Sequence, residues 1–235
     1  MVLSTQDYLL PTLNFSPFPK YSLFLLFEHR SALIMWMIST IIFDLNLTVV
    51  GVRFDDPDDR YKDKLGVSKK ALFHAAVAHW EEFETGKFGQ EELAQRIIKE
   101  LNLSPEKGPE TLRLLREDIY LVDGIEQILA GLYGKYRLIM LAGDGEDFLH
   151  AKLDKFNLKH YFSKIYCTCY EGIRKIDPQI YHNVLVKERI APSDCLFIDD
   201  NPEFIGVAQS IGIHTILFAN SSQLREDLEK FSIFI

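Results

Sequence analysis

Two short β-branched and aromatic runs in this chain end on carboxylates: Ile41-Ile42-Phe43 runs into Asp44, and Leu196-Phe197-Ile198 runs into Asp199-Asp200. A carboxylate ending a buried strand is costly unless a metal or hydrogen bonds compensate it. Convergence of the two ends therefore points to magnesium. Mg²⁺ prefers oxygen ligands, keeps several waters and is typically held by one or two carboxylates together with a substrate phosphate. Lys175 follows Gly172 in a polar loop and carries the charge to neutralise a phosphate or a nucleophile between the acids. Taken singly, each residue has an ordinary reading, since an Asp after a strand is a common turn residue and a loop lysine is usually solvated. The chemistry rests on the set.

The elements that must position this set alternate. Residues 41–43 have the form of a fully buried parallel strand. From residue 68 to about 118 the pattern is helical: Leu72, Ala75, Ala76 and His79-Trp80, then Leu93, Ile97, Ile98 and Leu101, recur at helical spacing, punctuated by Gly86, Gly89 and Ser104-Pro105. After Asp123-Gly124 a helix through Leu132 leads to a second buried strand over 137–142, and Asp144 is placed to cap a helix running to Phe156. A strand-like run covers 164–167, and Asp177-Pro178 suits an N-cap followed by proline at the first helical position, for a helix through Val186. A strand over 195–199, a helix over 202–210, a strand over 212–218 and a last helix capped by Ser221 or Ser222 complete the order. Such alternation predicts an α/β fold: a Rossmann-like parallel sheet covered by helices on both faces, with a small helical segment inserted after the first strand. Ligands of these sheets sit at the carboxyl ends of the strands, where Asp44, Ala142-Gly143 and Asp199-Asp200 fall. The expected organisation is an N-terminal extension over 1–36 that lies outside the fold, a core over 37–50 and 120–235, and a helical cap over 51–119.

With 235 residues, 47% of them hydrophobic and 26% charged, the chain is long enough for one cored domain with an insertion and is far from disordered compositions. A net charge of −8, without a long basic run, excludes nucleic acid as the main partner. Three cysteines, Cys167, Cys169 and Cys195, cannot build a disulfide framework and suggest a reducing, cytoplasmic location. Cys167 and Cys169 lack a second Cys/His pair to complete a zinc site. The apolar stretch before residue 40 is broken by Pro11, Pro17, Pro19, Lys20 and Glu28-His29-Arg30. It falls short of the roughly 18 apolar residues a membrane span needs, and without a basic start or a small-residue cleavage site it is a poor secretory signal. Oligomeric state is not legible here.

From Met37 to about Phe231 the chain resembles the haloacid dehalogenase-like (HAD) hydrolase superfamily. The segment Ile41-Ile42-Phe43-Asp44-Leu45-Asn46-Leu47-Thr48 is similar to its first motif, with Asp44 in the nucleophile position. Gly172-Ile173-Arg174-Lys175-Ile176-Asp177-Pro178 resembles the segment that carries the family lysine, and Leu196-Phe197-Ile198-Asp199-Asp200-Asn201-Pro202-Glu203 resembles the fourth, metal-binding motif. Gly212-Ile213-His214-Thr215-Ile216 continues in the manner of the branch with sugar-phosphate phosphatases and the epoxide hydrolase phosphatase domain. The resemblance implies that Asp44 attacks a small phosphate monoester and forms an aspartyl-phosphate. It implies Mg²⁺ on Asp44, Asp199 and the backbone carbonyl of Asn46, with Asp200 a metal partner or a brace for Lys175. Ala142, Gly143 and Lys175 would face the phosphoryl group, beneath a cap that closes over the site.

Four positions depart from that pattern. Asn46 stands where many relatives carry a second Asp, and an amide has no carboxyl proton to exchange. Ala142 replaces the usual Ser or Thr of the second motif, Gly143 replaces a frequent Asn, and Phe204 replaces an Asn after the double Asp, where packing on the sheet is the ordinary reading. His74, His79, Trp80, Glu84 and Lys87 suit an ordinary helix with a solvated face better than a substrate surface. Two rivals follow: a catalytically weakened relative that binds a phosphorylated ligand or a protein partner, and a 2-haloacid dehalogenase, against which the double Asp argues.

Overall fold

A computed structural model of the chain describes residues 38–53 and 59–235. The extension expected over 1–36 lies outside the described residues. The elements are β1 (Thr40–Phe43), β2 (Val50–Val52), α1 (Arg60–Leu65), α2 (Lys69–Glu84), α3 (Gln90–Glu100), α4 (Gly108–Glu117), β3 (Ile119–Leu121), α5 (Ile125–Leu132), β4 (Arg137–Ala142) and α6 (Glu146–Lys155). They continue with β5 (Lys164–Cys167), α7 (Thr168–Glu171), α8 (Pro178–Glu188), β6 (Cys195–Asp199), α9 (Pro202–Ser210), β7 (His214–Leu217) and α10 (Ser221–Lys230).

Five strands form one parallel sheet in the order β5-β4-β1-β6-β7, with Thr40 level with Arg137 on one side and Cys195 on the other. The period-two geometry of a strand sends successive side chains to opposite faces, and the central strands are apolar on both. Ile41 and Phe43 join Leu138, Met140, Leu196 and Ile198 in one core, whereas Ile42 joins Ile139, Leu141 and Phe197 in another. Helices α5, α6 and α10 cover the first face through Leu129, Leu153 and Leu224, and α8 and α9 cover the second through Tyr181, Val184 and Ile205. This is the expected α/β, Rossmann-like sheet with helices on both faces.

Helices α1 to α4 pack around a separate apolar cluster that includes Tyr61, Leu72, Phe83, Leu93, Ile97 and Leu114. They are bracketed by an antiparallel ribbon, in which β2 pairs with β3 and Gly51 lies opposite Tyr120. A Cβ on Gly51 would sit 2.4 Å from the Tyr120 ring, so glycine lets that ring lie across the ribbon. Both expected boundaries of the helical insert fall inside this ribbon. At the start of β3, Asp118 ties the insert together: its carboxylate accepts from Arg60 at 2.5 Å, from the Tyr61 hydroxyl at 2.7 Å and from Lys69.

Two capping expectations need correction. Gly145, not Asp144, is the N-cap of α6, because the Asp144 side chain is fully buried and committed to an ion pair with Lys152. Asn220, not Ser221 or Ser222, caps α10 by accepting from Gln223 N, while the Ser221 hydroxyl donates to the Asp123 carbonyl. Asp177 caps α8 ahead of Pro178, as expected. Among the described residues, no helix is long and apolar enough to cross a membrane.

Candidate active site

Asp44 directly follows β1, where its N–H continues the sheet by donating to the Ile198 carbonyl at 2.9 Å. Asp199 is the last residue of β6, and its Oδ1 accepts from Asn201 N at 2.8 Å, which fixes the turn into α9. Between the two strand ends stands Lys175, from the loop joining α7 to α8. Its Nζ donates to Asp44 Oδ1 at 2.5 Å and to Asp199 Oδ2 at 2.7 Å, with all three side chains buried. Oxygens of Asp44, Asp199 and half-buried Asp200 lie within 4.8 Å of one another.

Two buried acids thus share one ammonium, with a third acid beside them. Burial pushes the Asp44 carboxyl up to about 7 against the pull of the Lys175 charge, and neighbouring Asp199 and Asp200 push it the same way. Asp200 is likewise raised, first by burial and then by Asp199. Burial alone would lower Lys175, but Asp44 and Asp199 together hold it above the usual lysine range. A hard divalent cation fits this donor set. It is all carboxylate, its oxygens converge on one spot, and it is short of positive charge, as a small oxygen-seeking cation requires. Among the described residues this is also the one grouping of three potential metal-ligating side chains; Cys167 instead caps α7 by accepting from Cys169 N.

Behind the acids a second buried network fixes the loop after β1. The Asn46 amide donates to the Gly143 carbonyl at 2.9 Å, and its oxygen accepts from Lys152 Nζ at 2.7 Å. Lys152 is paired in turn with Asp144 at 2.5 Å. The next residue, Leu47, adopts a left-handed backbone with φ of 63°. A branched residue there carries strain of order 1–3 kcal/mol, held here by the bond from Leu47 N to the Val50 carbonyl at 2.8 Å.

A cavity of about 230 Å³ opens over the acids, lined by Asp44, Asn46, Gly143, Lys175, Asp199 and Asp200 from the sheet end. Ala142 is fully buried within β4, and its neighbour Gly143 lines the cavity. A Cβ on Gly143 would come within 2.9 Å of Glu84 Oε2, so glycine is what lets the helical insert approach this closely. Trp80 and Glu84 of α2 face the cavity, contrary to the solvated-helix reading, because Arg174 draws Glu84 inward with an Nε bond of 2.6 Å. Burial raises the Glu84 carboxyl even so, with the Arg174 bond and charge opposing it. His79 pairs with Glu100 at 3.1 Å, as an ordinary helix surface would. Phe204 packs partly against the second face of the sheet and also places its ring 4.9 Å from Lys175 Nζ.

Sequence reasoning brought forward Asp44, Asn46, Ala142, Gly143, Lys175, Asp199 and Asp200; six of them line one cavity, whereas Ala142, expected to face the phosphoryl group, is buried inside β4 with its side chain in the core and does not line it. That reasoning missed Glu84 as a site residue, along with Arg174, Asp144 and Lys152. The Arg174–Glu84 partners are 90 residues apart, and the Lys152–Asn46 partners 106.

Comparisons with known proteins bear on the family and the fold. Residues 38–212 match the family model for haloacid dehalogenase-like hydrolases. The chain is 31% identical over 157 residues to flavin mononucleotide hydrolase 1 of Arabidopsis thaliana, covering 66% of this chain but only 62% of that protein, less than two thirds of its length. It is 23% identical over 138 residues to sesquiterpene phosphatase astK of Aspergillus oryzae, covering 57% of this chain and 69% of that one. A HAD family enzyme of Bacteroides thetaiotaomicron, solved with magnesium and inorganic phosphate, shares the fold with a TM-score of 0.60 at 20% identity, over 80% of this chain and 98% of that one.

Proposed function

The chain belongs to the haloacid dehalogenase-like hydrolase family, and on that premise we propose that it is a magnesium-dependent phosphatase that hydrolyses a small phosphate monoester through an aspartyl-phosphate on Asp44. The observation that carries this reading is the buried Asp44 carboxylate, 2.5 Å from Lys175 and grouped with Asp199 and Asp200 at the floor of a cavity. The hydrolase and phosphatase names of the two curated relatives support it.

In this reading the side chains of Asp44, Asp199 and Asp200, with the backbone carbonyl of Asn46, hold Mg²⁺. Bound there, the ion supplies positive charge to the phosphoryl oxygens. Lys175 favours the ionised form of Asp44 against the effect of burial and holds its oxygen in place. The Asp44 oxygen attacks phosphorus in line, the ester P–O bond breaks, and the departing oxygen keeps the electron pair and takes a proton. Water then attacks the phosphorus of the aspartyl-phosphate, which releases inorganic phosphate and regenerates Asp44. Asn46 has no proton to give and is bonded to Gly143 and Lys152, so we assign the leaving-group proton to Glu84, the carboxyl that α2 holds against the cavity. Helices α1 to α4 act as the cap over residues 51–119 that excludes bulk water from the site.

Rapid quenching of turnover with a ³²P-labelled aryl phosphate tests this directly. The expected result is hydroxylamine-labile label mapped to Asp44 by mass spectrometry and absent from Asp44→Asn. Label retained by that variant would overturn the assignment.

A further inference from the structure

Next to the cavity over the acids lies a second one of about 400 Å³, within the range of roughly 300–1,000 Å³ typical of small-molecule sites. Its walls are chiefly Phe73, Ala76, Val77, Trp80, Leu115 and Phe148, contributed by α2, α4 and α6. Asn46, Leu47, Trp80 and Arg174 line both cavities, so the two share an edge directly above the strained turn after Asp44. That turn presents Leu47, a large apolar side chain 43% exposed, at the shared edge.

The polar groups on this edge are already satisfied by one another. Asn46 is bonded to Gly143 and Lys152, Lys152 is paired with Asp144, and Arg174 is held between Glu84 at 2.6 Å and Glu81 at 3.2 Å. A polyhydroxyl leaving group would lose its water here and find few free partners, a cost of order 1–3 kcal/mol for each stranded hydroxyl. An apolar one would only gain. We infer that the substrate is the phosphate monoester of a bulky apolar alcohol, its phosphate over Asp44 and Lys175 and its hydrocarbon body in the cavity walled by Phe73, Val77, Trp80 and Phe148. This rests on the phosphatase reading for the chemistry, but the apolar site itself can be tested without turnover.

The probes are n-alkylphosphonates, from methyl through butyl and octyl to dodecyl, which carry the phosphate-like head on a bond that is not hydrolysed. Titrated calorimetrically into the full chain with Mg²⁺ present, they should bind more tightly with length, by at most about fourfold per methylene, until the cavity is filled. The heat-capacity change of binding should grow more negative over the same range. Val77 is 69% exposed, so Val77→Glu places a charge at the cavity wall without removing core packing, and it should sharply reduce the octyl-to-methyl affinity ratio. A dissociation constant that does not change with chain length, or an octyl-to-methyl ratio untouched by Val77→Glu, would overturn the inference. Length-dependent binding together with no aryl phosphate turnover would sink the phosphatase reading and leave the apolar site standing. Turnover with length-independent binding would do the reverse.

Discussion

In the proposed mechanism Glu84 and Asn46 divide roles between them: Asn46 fixes the loop through Gly143 and Lys152, and Glu84, which lines the cavity from α2, supplies the proton. Loss of general-acid help typically costs about 10²–10⁴-fold for a leaving group that needs a proton, and far less for one that does not. Glu84→Gln should therefore slow an alkyl phosphate at least about 10²-fold while an aryl phosphate, whose phenolate departs unprotonated, is slowed much less. Equal losses on the two esters in steady-state kinetics would show that Glu84 only shapes the site. At this scale the sequence was readable where chemistry is local. Asp44 and Asp199-Asp200 terminate apolar strands, and that placement marks them. Glu84 looked like one more acid on a solvated helix, because nothing within several turns reveals that Arg174 will fold it inward.

The helical insert is tied at its base by Asp118, where the ribbon begins. Burial would raise this carboxyl, but hydrogen bonds from Arg60, Lys69 and Tyr61 outweigh it and hold it at about 2. A carboxyl depressed on folding stabilises the native state above its unfolded value of about 4, and that contribution is lost as pH falls through the folded value. Asp118→Asn should destabilise the fold at neutral pH by on the order of 1 kcal/mol once solvent screening of this partly exposed group is allowed for, and the gap to the wild type should close between about pH 4 and pH 2. Urea unfolding across that range measures it, and a gap that stays constant with pH would contradict the ion-pair account. The main strands were legible because they are continuous apolar runs between turn signals. The ribbon was not, since β2 and β3 are three residues each and their pairing spans the whole insert. The α6 cap was misread for a related reason: Asp144 is a good capping residue by type, but the buried ammonium of Lys152 claims its carboxylate.

Across the whole molecule, alternating strands and helices sufficed to predict a parallel sheet covered by helices, and that is the fold observed. The apolar cavity was beyond reach, because its walls come from helices that are distant in sequence and each reads as ordinary core. Cation binding should register globally as well. Three clustered acids with one lysine between two of them carry excess negative charge, which a bound divalent ion would offset. Mg²⁺ at 100 times its dissociation constant should add about 2.7 kcal/mol, a rise in melting temperature of roughly 5–10 °C for a domain of this size. Excess chelator should reverse the rise, and Asp199→Asn should diminish it; an unchanged melting temperature would argue against a cation at these acids. The most direct test of the central claim is steady-state hydrolysis of a reactive aryl phosphate by the wild type and by Asp44→Asn, each with Mg²⁺ and with excess chelator. The account predicts turnover in the wild type with Mg²⁺ alone. Activity in Asp44→Asn, or undiminished activity in chelator, would contradict it.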